Sequence, residues 1–162
     1  MVSLIISIRP KWCDLIARGI KTIEVRKSRP KPSVPFKCYI YCTKDAKGWF
    51  DFGKRTRLDG KVIGEFTCKT IGQFLWVESP LEEYPVEKCY FMTAEEGERT
   101  CLSYPDIVKY GAGKDVFLWD ISELKIYDKP LELSALGLKK APQDWCYVKE
   151  RIKKSDAPTV QS

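Results

Sequence analysis

Histidine is absent from all 162 residues of this chain. Its absence excludes histidine-based acid–base catalysis, nucleophiles activated by a Ser-His or Cys-His pair, and almost every common zinc site. Any hydrolytic chemistry has to come from lysine, threonine or carboxylate side chains. We therefore predict neither a metal nor a cofactor, although a carboxylate-only Mg²⁺ site leaves little trace in a sequence.

The chain also lacks a long apolar run and a recognisable targeting segment. No stretch reaches the roughly 18 apolar residues that a membrane-spanning helix needs. The first ten residues have no basic leader, and their apolar part is too short for a signal peptide. We expect a cytoplasmic protein without membrane association.

The seven cysteines show no close paired spacing, and their number is odd. Both features favour reduced thiols over a disulfide framework. Cys38 and Cys42 fall on one face of a predicted strand with Ile40 between them, which is typical of small core residues rather than of a metal pair.

Positive charge is concentrated in one part of the sequence. Residues 18–61 contain 13 Lys/Arg and 4 Asp/Glu, whereas residues 62–100 contain 3 basic and 8 acidic residues. A basic segment of this kind favours an anionic partner, most commonly nucleic acid, over a merely solvated lysine-rich surface. Its most basic spot consists of Lys54, Arg55 and Arg57, and aromatic residues that can stack on bases lie among these charges.

The periodicity predicts one mixed α/β (α+β) domain over residues 1–150, followed by a charged, then polar tail at 151–162 that we expect to fray. Short strands, tight turns and few helices favour a small, partly open and mostly antiparallel barrel. A short helix follows the first strand, and one or two more come later. The predicted strands cover 4–8, 22–26, 37–42, 61–70, 115–120 and 125–127; the predicted helices cover 11–18, ended by Gly19, and 102–110, with Ser103 near its cap.

The segment 19–26, Gly-Ile-Lys-Thr-Ile-Glu-Val-Arg, is the most informative part of the sequence. If it enters a strand, alternation places Thr22, Glu24 and Arg26 on one face. Lys21 at the strand entrance can then reach over a polar cavity. Such a cavity suits a nucleobase or a phosphate, although a strand with one charged face is often simply half exposed.

Three segments together resemble the ASCH domain family, in the branch found in bacteria and phages. Residues 7–27 are similar to its opening strand, helix and Gly-x-Lys-x-x-Glu-x-Arg signature. Residues 62–66 are similar to its core strand. Residues 119–145, which end in a Pro-x-x-Trp, resemble its closing segment. The resemblance covers residues 3–148.

The resemblance implies a PUA-like β-barrel whose cleft is lined by the signature strand and the helix before it. It also implies association with RNA or another nucleic acid. Some small members of the family hydrolyse N4-acylated cytidines, and ribonuclease activity has been attributed to others. The cytidine-hydrolysing branch has a threonine three residues after the signature lysine, where this chain has Glu24.

The favoured hypothesis is a monomeric module that binds RNA, another nucleic acid or a nucleotide. Arginine and lysine contact phosphates and base edges, and Glu24 can orient Arg26 or accept a hydrogen bond from an exocyclic amine. An aromatic ring then stacks on the base. The candidate ligand-binding residues are Lys11, Trp12, Lys21, Glu24, Arg26, Lys54, Arg55, Arg57 and Trp145, with Tyr147 as an alternative stacking ring.

The alternative is a hydrolase acting on a modified nucleoside of the N4-acylcytidine type or on RNA. Its catalytic residues would be Lys21, Thr22 and Glu24, with lysine as the base for the threonine hydroxyl or with Glu24 activating water. The family's more distant glutamate would correspond to Glu95, Glu96 or Glu98. A protein-interaction role through the acidic segment 78–98 is a third hypothesis.

Overall fold

The computed structural model of this chain describes residues 1–47, 57–78, 88–149, 152 and 157–161. These residues form ten strands, three α-helices and one 3-10 helix. The strands are β1 Ser3–Ile8, β2 Ile23–Arg26, β3 Phe36–Cys42, β4 Lys61–Cys68, β5 Ile71–Phe74, β6 Trp76–Val77, β7 Cys89–Tyr90, β8 Val116–Asp120, β9 Ser122–Leu131 and β10 Trp145–Val148. The α-helices are α1 Pro10–Ala17, α2 Ala94–Thr100 and α3 Tyr104–Gly111, and the 3-10 helix covers Leu133–Leu136.

The strands pair into one large and two smaller sheets. The five-stranded sheet has the order β10-β1-β3-β4-β9, the three-stranded sheet has the order β2-β8-β5, and β6 pairs with β7. Only β1 and β3 run parallel, and the other described pairs are antiparallel. The mixed α/β class, the mostly antiparallel pairing and the short helix after the first strand are therefore confirmed, and α3 corresponds to the later helix predicted at 102–110.

The two larger sheets are connected at one corner. The β4–β9 ladder ends at the pair Thr67 and Ser122, and the β5–β8 ladder begins at Ile71 and Trp119. Between them the Asp120 N–H donates to the Thr70 carbonyl over 3.1 Å. Two segments of the chain, residues 67–71 and 119–122, thus pass from one sheet into the other at the same place, as strands do where packed sheets share a corner. The described pairings do not close the sheets into a barrel, so the predicted barrel stays a prediction.

Helix α1 ends in a turn that directs the chain toward β2. Gly19 follows the helix with φ +72°, a left-handed conformation that glycine adopts without strain. Its N–H donates to the Ile16 carbonyl, and the Ile20 N–H donates to the Leu15 carbonyl, each over 2.9 Å. This pair of bonds is the Schellman motif. The predicted glycine stop is confirmed.

The core has three parts because the large sheet is covered on both faces. One face packs against α1 and the corner around Trp119, and the other packs against the 3-10 helix and the residues that follow it. The three-stranded sheet packs against α3 and the β6–β7 pair. Cys38 and Cys42 are fully buried in the first part, as their pattern predicted. None of the described helices is long and apolar enough to cross a membrane.

Two features of the chain were not predicted from its pattern. Helix α2 begins with a capping box, in which Thr93 and Glu96 satisfy each other's backbone N–H. The sequence signal of a capping box is the spacing Thr-x-x-Glu, which residues 93–96 have. The end of the tail, where fraying was expected, pairs with β9: the Asp128 N–H donates to Thr159 over 2.9 Å, and the Gln161 N–H donates to Ile126 over 2.8 Å.

The last residue of α3, Gly111, is packed directly against Tyr90. A Cβ at this position would lie 1.9 Å from the Tyr90 hydroxyl oxygen, which donates to the Lys114 carbonyl over 2.6 Å. We expect Gly111→Ala to displace the ring and lower the free energy of unfolding by about 1–3 kcal/mol, the usual cost of overpacking. Urea unfolding measures the loss.

Gly97→Ala is the matched control. Gly97 lies inside α2, and a Cβ there would meet only the flexible end of Met92, at 3.4 Å. Because alanine favours a helix interior more than glycine does, this variant should gain about 0.5–1 kcal/mol. A Gly111→Ala protein as stable as the control would contradict the packing of α3 against β7.

Candidate functional site

A cavity of about 390 Å³ opens where the ends of β1 and β3 meet α1, β2 and α3. The parallel strands end side by side, and the Thr43 N–H donates to the Ile8 carbonyl over 2.9 Å. The volume lies within the range of small-molecule sites. The lining residues are Ser7, Ile8, Arg9, Trp12, Lys21, Glu24, Val25, Arg26, Thr43, Leu102, Tyr110 and Gln143.

Lys21 reaches the cavity because of the turn after α1. Its backbone N–H also bonds to the Leu15 carbonyl, over 3.1 Å, so the turn fixes where the side chain starts. The side chain is 3% exposed, and its ammonium donates to the Thr100 carbonyl over 2.7 Å. One of the three ammonium protons is thereby used at the end of α2.

Glu24 lies between two cations. It is held in β2, opposite Trp119 of β8. Its Oε2 atom is 3.4 Å from the Lys21 Nζ atom, and its Oε1 atom is 3.0 Å from the Arg26 Nη2 atom. The carboxylate side chain is only 7% exposed, so both contacts occur away from bulk water. A buried carboxylate needs such partners to remain charged.

Arg26 extends this row of charges to the last part of the domain. Its Nη1 atom donates to the Asp144 carboxylate over 2.6 Å, and its Nη2 atom donates to the Ser7 carbonyl over 2.7 Å. Burial alone would lower the pKa of Arg26, but Glu24 and Asp144 outweigh burial and raise that pKa. Lys21, Glu24, Arg26 and Asp144 therefore form an alternating, neutral row, hereafter the charge row.

Two buried polar atoms of the charge row have no hydrogen-bond partner among the described residues. These atoms are Oε2 of Glu24 and Nε of Arg26. The 3.4 Å approach of the Lys21 ammonium to Oε2 is an ion contact that does not satisfy hydrogen-bond geometry. Buried polar atoms are nearly always satisfied in native proteins, and both residues line the cavity, so an unpartnered acceptor and an unpartnered donor are a notable feature of its lining.

Aromatic rings form other parts of the wall. Trp12 has the Lys21 ammonium 5.2 Å and the Lys11 ammonium 4.6 Å from its ring. Such cation contacts fix the ring's position. Burial raises the pKa of Tyr110, although Arg26 opposes that shift, so the phenol stays protonated at neutral pH.

The structure separates Thr22 from the predicted group. Strand β2 begins at Ile23, so the alternation does not extend back to Thr22. The Thr22 hydroxyl accepts a hydrogen bond from the Arg99 Nε atom over 3.0 Å, and Thr22 is not among the residues that line the cavity. Lys21, Glu24 and Arg26 meet as predicted, whereas a Thr22–Glu24 pair does not form at the cavity.

Other candidate residues also lie outside the cavity lining. Lys11 is exposed and reaches the site only through its contact with Trp12. The Trp145 indole donates to the Ser28 hydroxyl over 2.9 Å, and its ring packs between Trp119 and Tyr147 at 5.7 and 5.6 Å. These contacts therefore hold β10 against the rest of the domain.

None of the three residues of the most basic spot in the sequence is among the described residues that line the cavity. Lys54 and Arg55 lie outside the described residues. Arg57 is ion-paired with Asp59 in a second recess. The three glutamates considered as a distant partner, Glu95, Glu96 and Glu98, belong to α2 and do not line the cavity, and Glu96 caps its own helix.

Several residues of the site were missed by sequence reasoning. Asp144 lies within the Pro-x-x-Trp segment, where nothing in the pattern marked it as a partner of Arg26. Tyr110 lies in α3, and its spacing did not distinguish it from other residues of that helix. The Ser7 hydroxyl donates to the Pro142 carbonyl over 2.6 Å, and the Ser7 N–H donates to the Asp144 carbonyl over 2.9 Å. Backbone contacts of this kind leave no sequence signal.

Three of the buried cysteines are poor nucleophiles. Burial raises the pKa of Cys68 to about 12 and holds the pKa values of Cys13 and Cys38 well above the usual range. Since the thiolate is the reactive form, these thiols are inert at neutral pH. Among the described residues, no group of three or more Cys, Asp or Glu side chains could hold a metal ion.

Removing one charge of the row should be costly. Lys21→Met leaves the Thr100 carbonyl without its donor and Glu24 with one cation fewer. We expect the free energy of unfolding to fall by about 3 kcal/mol, as when one partner of a buried ion pair is lost. Lys11→Met, at an exposed lysine that also contacts the Trp12 ring, should change it by less than about 0.5 kcal/mol. Equal urea midpoints for the two variants would contradict the charge row.

Comparison with known proteins supports a single family. The family model of the ASCH domain matches residues 6–41, which contain the end of β1, all of α1 and β2, and most of β3. No curated protein sequence matches this chain significantly. Among solved structures, the ASCH protein from Zymomonas mobilis is similar with a TM-score of 0.64 and 18% identity, covering 93% of this chain and 90% of that one.

Two variants of the Zymomonas mobilis protein give the same result. A tyrosine-to-phenylalanine variant has a TM-score of 0.66 and 18% identity, with 97% of this chain and 99% of that chain covered. A serine-to-alanine variant has a TM-score of 0.63 at the same identity, with 91% and 89% covered. At this identity the similarity concerns the fold. The chain thus matches the ASCH domain over residues 6–41, and its fold is similar to that of an ASCH protein of known structure.

Proposed function

We propose that this protein binds RNA through an unpaired base that enters the cavity, and that it acts as a binding module. The two larger sheets then form the sides of a PUA-like barrel, and the cavity is the cleft between them. Support comes from the ASCH resemblance, from the basic segment 18–61 and from the cavity's chemistry.

The single observation that carries the proposal is that Glu24 and Arg26 both line the cavity and that each has one buried atom without a partner. Glu24 Oε2 is a hydrogen-bond acceptor, and Arg26 Nε is a donor. Cytosine and adenine carry an exocyclic amine next to a ring nitrogen acceptor, so each offers one donor and one acceptor in return. Uracil offers the same combination through its ring N–H and a carbonyl oxygen, whereas a base whose donor is methylated, such as N4,N4-dimethylcytosine or N3-methyluracil, has no donor at that edge.

The walls suit a flat, partly apolar ligand. Trp12, Tyr110 and Leu102 supply ring and aliphatic surface, while the polar atoms come from the charge row. Ligand sites commonly combine apolar walls with a few fixed polar groups. Arg9 and Thr43 on the rim add a cation and a hydroxyl for the sugar or phosphate of the same nucleotide.

The test is isothermal titration calorimetry with cytidine, N4,N4-dimethylcytidine, uridine and N3-methyluridine. We expect each nucleoside with a free N–H donor to bind roughly ten- to hundredfold more tightly than its methylated counterpart, because a two-point base contact is worth about 1–3 kcal/mol. Glu24→Gln should abolish that preference. Equal affinities within both pairs in the wild-type protein, or no binding of any nucleoside, would refute the proposal.

Glu65→Gln is the matched control for this experiment. Glu65 is another largely buried carboxylate, 14% exposed, with Lys37 at 3.7 Å and Lys125 at 3.6 Å. It also accepts a hydrogen bond from Tyr127 over 2.7 Å, so its removal disturbs a comparable network. Glu65 does not line the cavity. The control variant should therefore keep the wild-type preference for nucleosides with a free N–H donor.

A second candidate function rests on the 3.4 Å contact between Lys21 and Glu24 at the cavity. In a hydrolase of N4-acylated cytidine, water attacks the acyl carbon and gives its proton to Glu24. The C–N bond then breaks, and the amine leaves with that proton. Lys21 stabilises the negative oxygen of the tetrahedral intermediate. A carboxylic acid and cytidine are the products.

Product analysis separates the two functions. The protein is incubated with N4-acetylcytidine and, separately, with a ten-nucleotide RNA, and products are resolved by chromatography. The binding proposal expects no product. Cytidine formation that is lost in Glu24→Gln and retained in Thr22→Val would establish the water mechanism instead, since Thr22 contacts Arg99 rather than the cavity. Loss of cytidine formation in Thr22→Val would instead support the hypothesis that the Thr22 hydroxyl is the nucleophile.

A further inference from the structure

A second recess, of about 870 Å³, lies beside the cavity. Five basic and two acidic side chains line it, which leaves an excess of three positive charges. We call it the lysine groove. Its charged residues are Lys44, Arg57, Lys61, Lys139 and Lys140, together with Asp59 and Glu132.

Both acidic residues of the lysine groove are already neutralised. Asp59 forms a two-point contact with Arg57, at 2.8 and 2.9 Å, and Glu132 pairs with Lys61. Within the described part of the chain, no ion pair involves the other three lysines. The groove therefore offers three lysine charges to an anionic ligand. These lysines are Lys44, Lys139 and Lys140.

The backbone that carries these lysines is well anchored. Lys44 packs its aliphatic stem over Gly60, where a Cβ would lie 3.1 Å from the Lys44 Cγ atom. Gly60 has φ +77°, and its N–H donates to the Cys42 carbonyl over 2.7 Å. On the other side, Leu138 packs into the core immediately before Lys139. The charges thus project from fixed positions of the fold.

The cavity and the lysine groove share a thin rim. Thr43 lines the cavity, and the next residue, Lys44, lines the groove. On the opposite side Gln143 lines the cavity, and Ala141 lines the groove. Neighbouring Cα atoms are about 3.8 Å apart, so the two spaces meet at adjacent residues on one segment and are separated by Pro142 alone on the other. A ligand that fills the cavity and continues past this rim enters the groove.

We propose that the lysine groove holds the phosphate backbone of a single-stranded RNA whose unpaired base occupies the cavity, and this inference rests on the function proposed above. Lysines that contact phosphates position a strand without reading its sequence, while the base is recognised separately. A base that enters the cavity cannot remain paired or stacked, which makes a single strand the fitting partner. The charge excess of the groove supplies the affinity for the strand.

The experiment compares a groove variant with a charge-matched control. The groove variant is Lys44→Gln, Lys139→Gln and Lys140→Gln combined. The control is Lys88→Gln, Lys109→Gln and Lys114→Gln combined, at exposed lysines that line neither the cavity nor the groove. Affinity for a ten-nucleotide single-stranded RNA is measured by fluorescence anisotropy from low to high salt, and cytidine and adenosine binding is measured by calorimetry.

We expect the groove variant to bind the RNA on the order of ten- to hundredfold more weakly at about 0.1 M salt, with the salt slope reduced by about 2, because each lost phosphate contact contributes about 0.7. Its nucleoside affinity should equal that of the wild-type protein. The control should lose much less RNA affinity. Thermal unfolding of both variants verifies that the fold is intact.

Three outcomes would overturn the inference, and they are distinct from failure of the proposed function. One is equal RNA affinity in the groove and control variants while the wild-type protein binds nucleosides. Another is a duplex of the same sequence binding as tightly as the single strand. A third is a poly-glutamate peptide binding the groove as tightly as the RNA. Absence of nucleoside binding in the wild-type protein would instead refute the cavity's function.

Discussion

The charge row is the interaction on which the site depends. Two cations and two anions alternate from Lys21 to Asp144, with contacts of 3.4, 3.0 and 2.6 Å. Each interior charge has an opposite charge on both sides, so the desolvation penalty of burial is offset only while all four are present. The row is therefore cooperative: losing one member leaves its neighbours buried and undercompensated.

The charge row also connects parts of the chain that are far apart in sequence. Lys21 bonds to the end of α2, and Arg26 bonds to β1 and to the loop before β10. These contacts span 79, 19 and 118 positions along the chain. Apolar packing tolerates small shifts, whereas charge-assisted hydrogen bonds require particular distances and angles. The row consequently sets the positions of three elements around one cavity.

How far the site could be predicted follows from the range of its interactions. Lys21, Glu24 and Arg26 lie within six residues, and strand alternation is a local rule, so their convergence was predictable. Thr22 was misplaced because alternation holds only within a strand, and β2 begins one residue later. Tertiary contacts between distant parts of the chain bring three further groups to the site, and no local sequence pattern encodes such contacts. These groups are Asp144, Tyr110 and the Ser7 carbonyl. Trp145 looked suited to stacking, but its indole instead bonds to Ser28.

Buried and exposed charges have different physical roles in this protein. The charge row is neutral, and all its members except Asp144 are largely buried, so salt has little effect on its interior contacts, which depend on the directions of their atoms. The lysine groove is exposed and carries an excess of three positive charges, so its attraction for an anion is long-ranged, non-directional and weakened by salt. In the function proposed here, base recognition needs the first property, and capture of a phosphate chain needs the second. A single RNA strand that crossed the thin rim would use both, with discrimination at the base and affinity along the backbone.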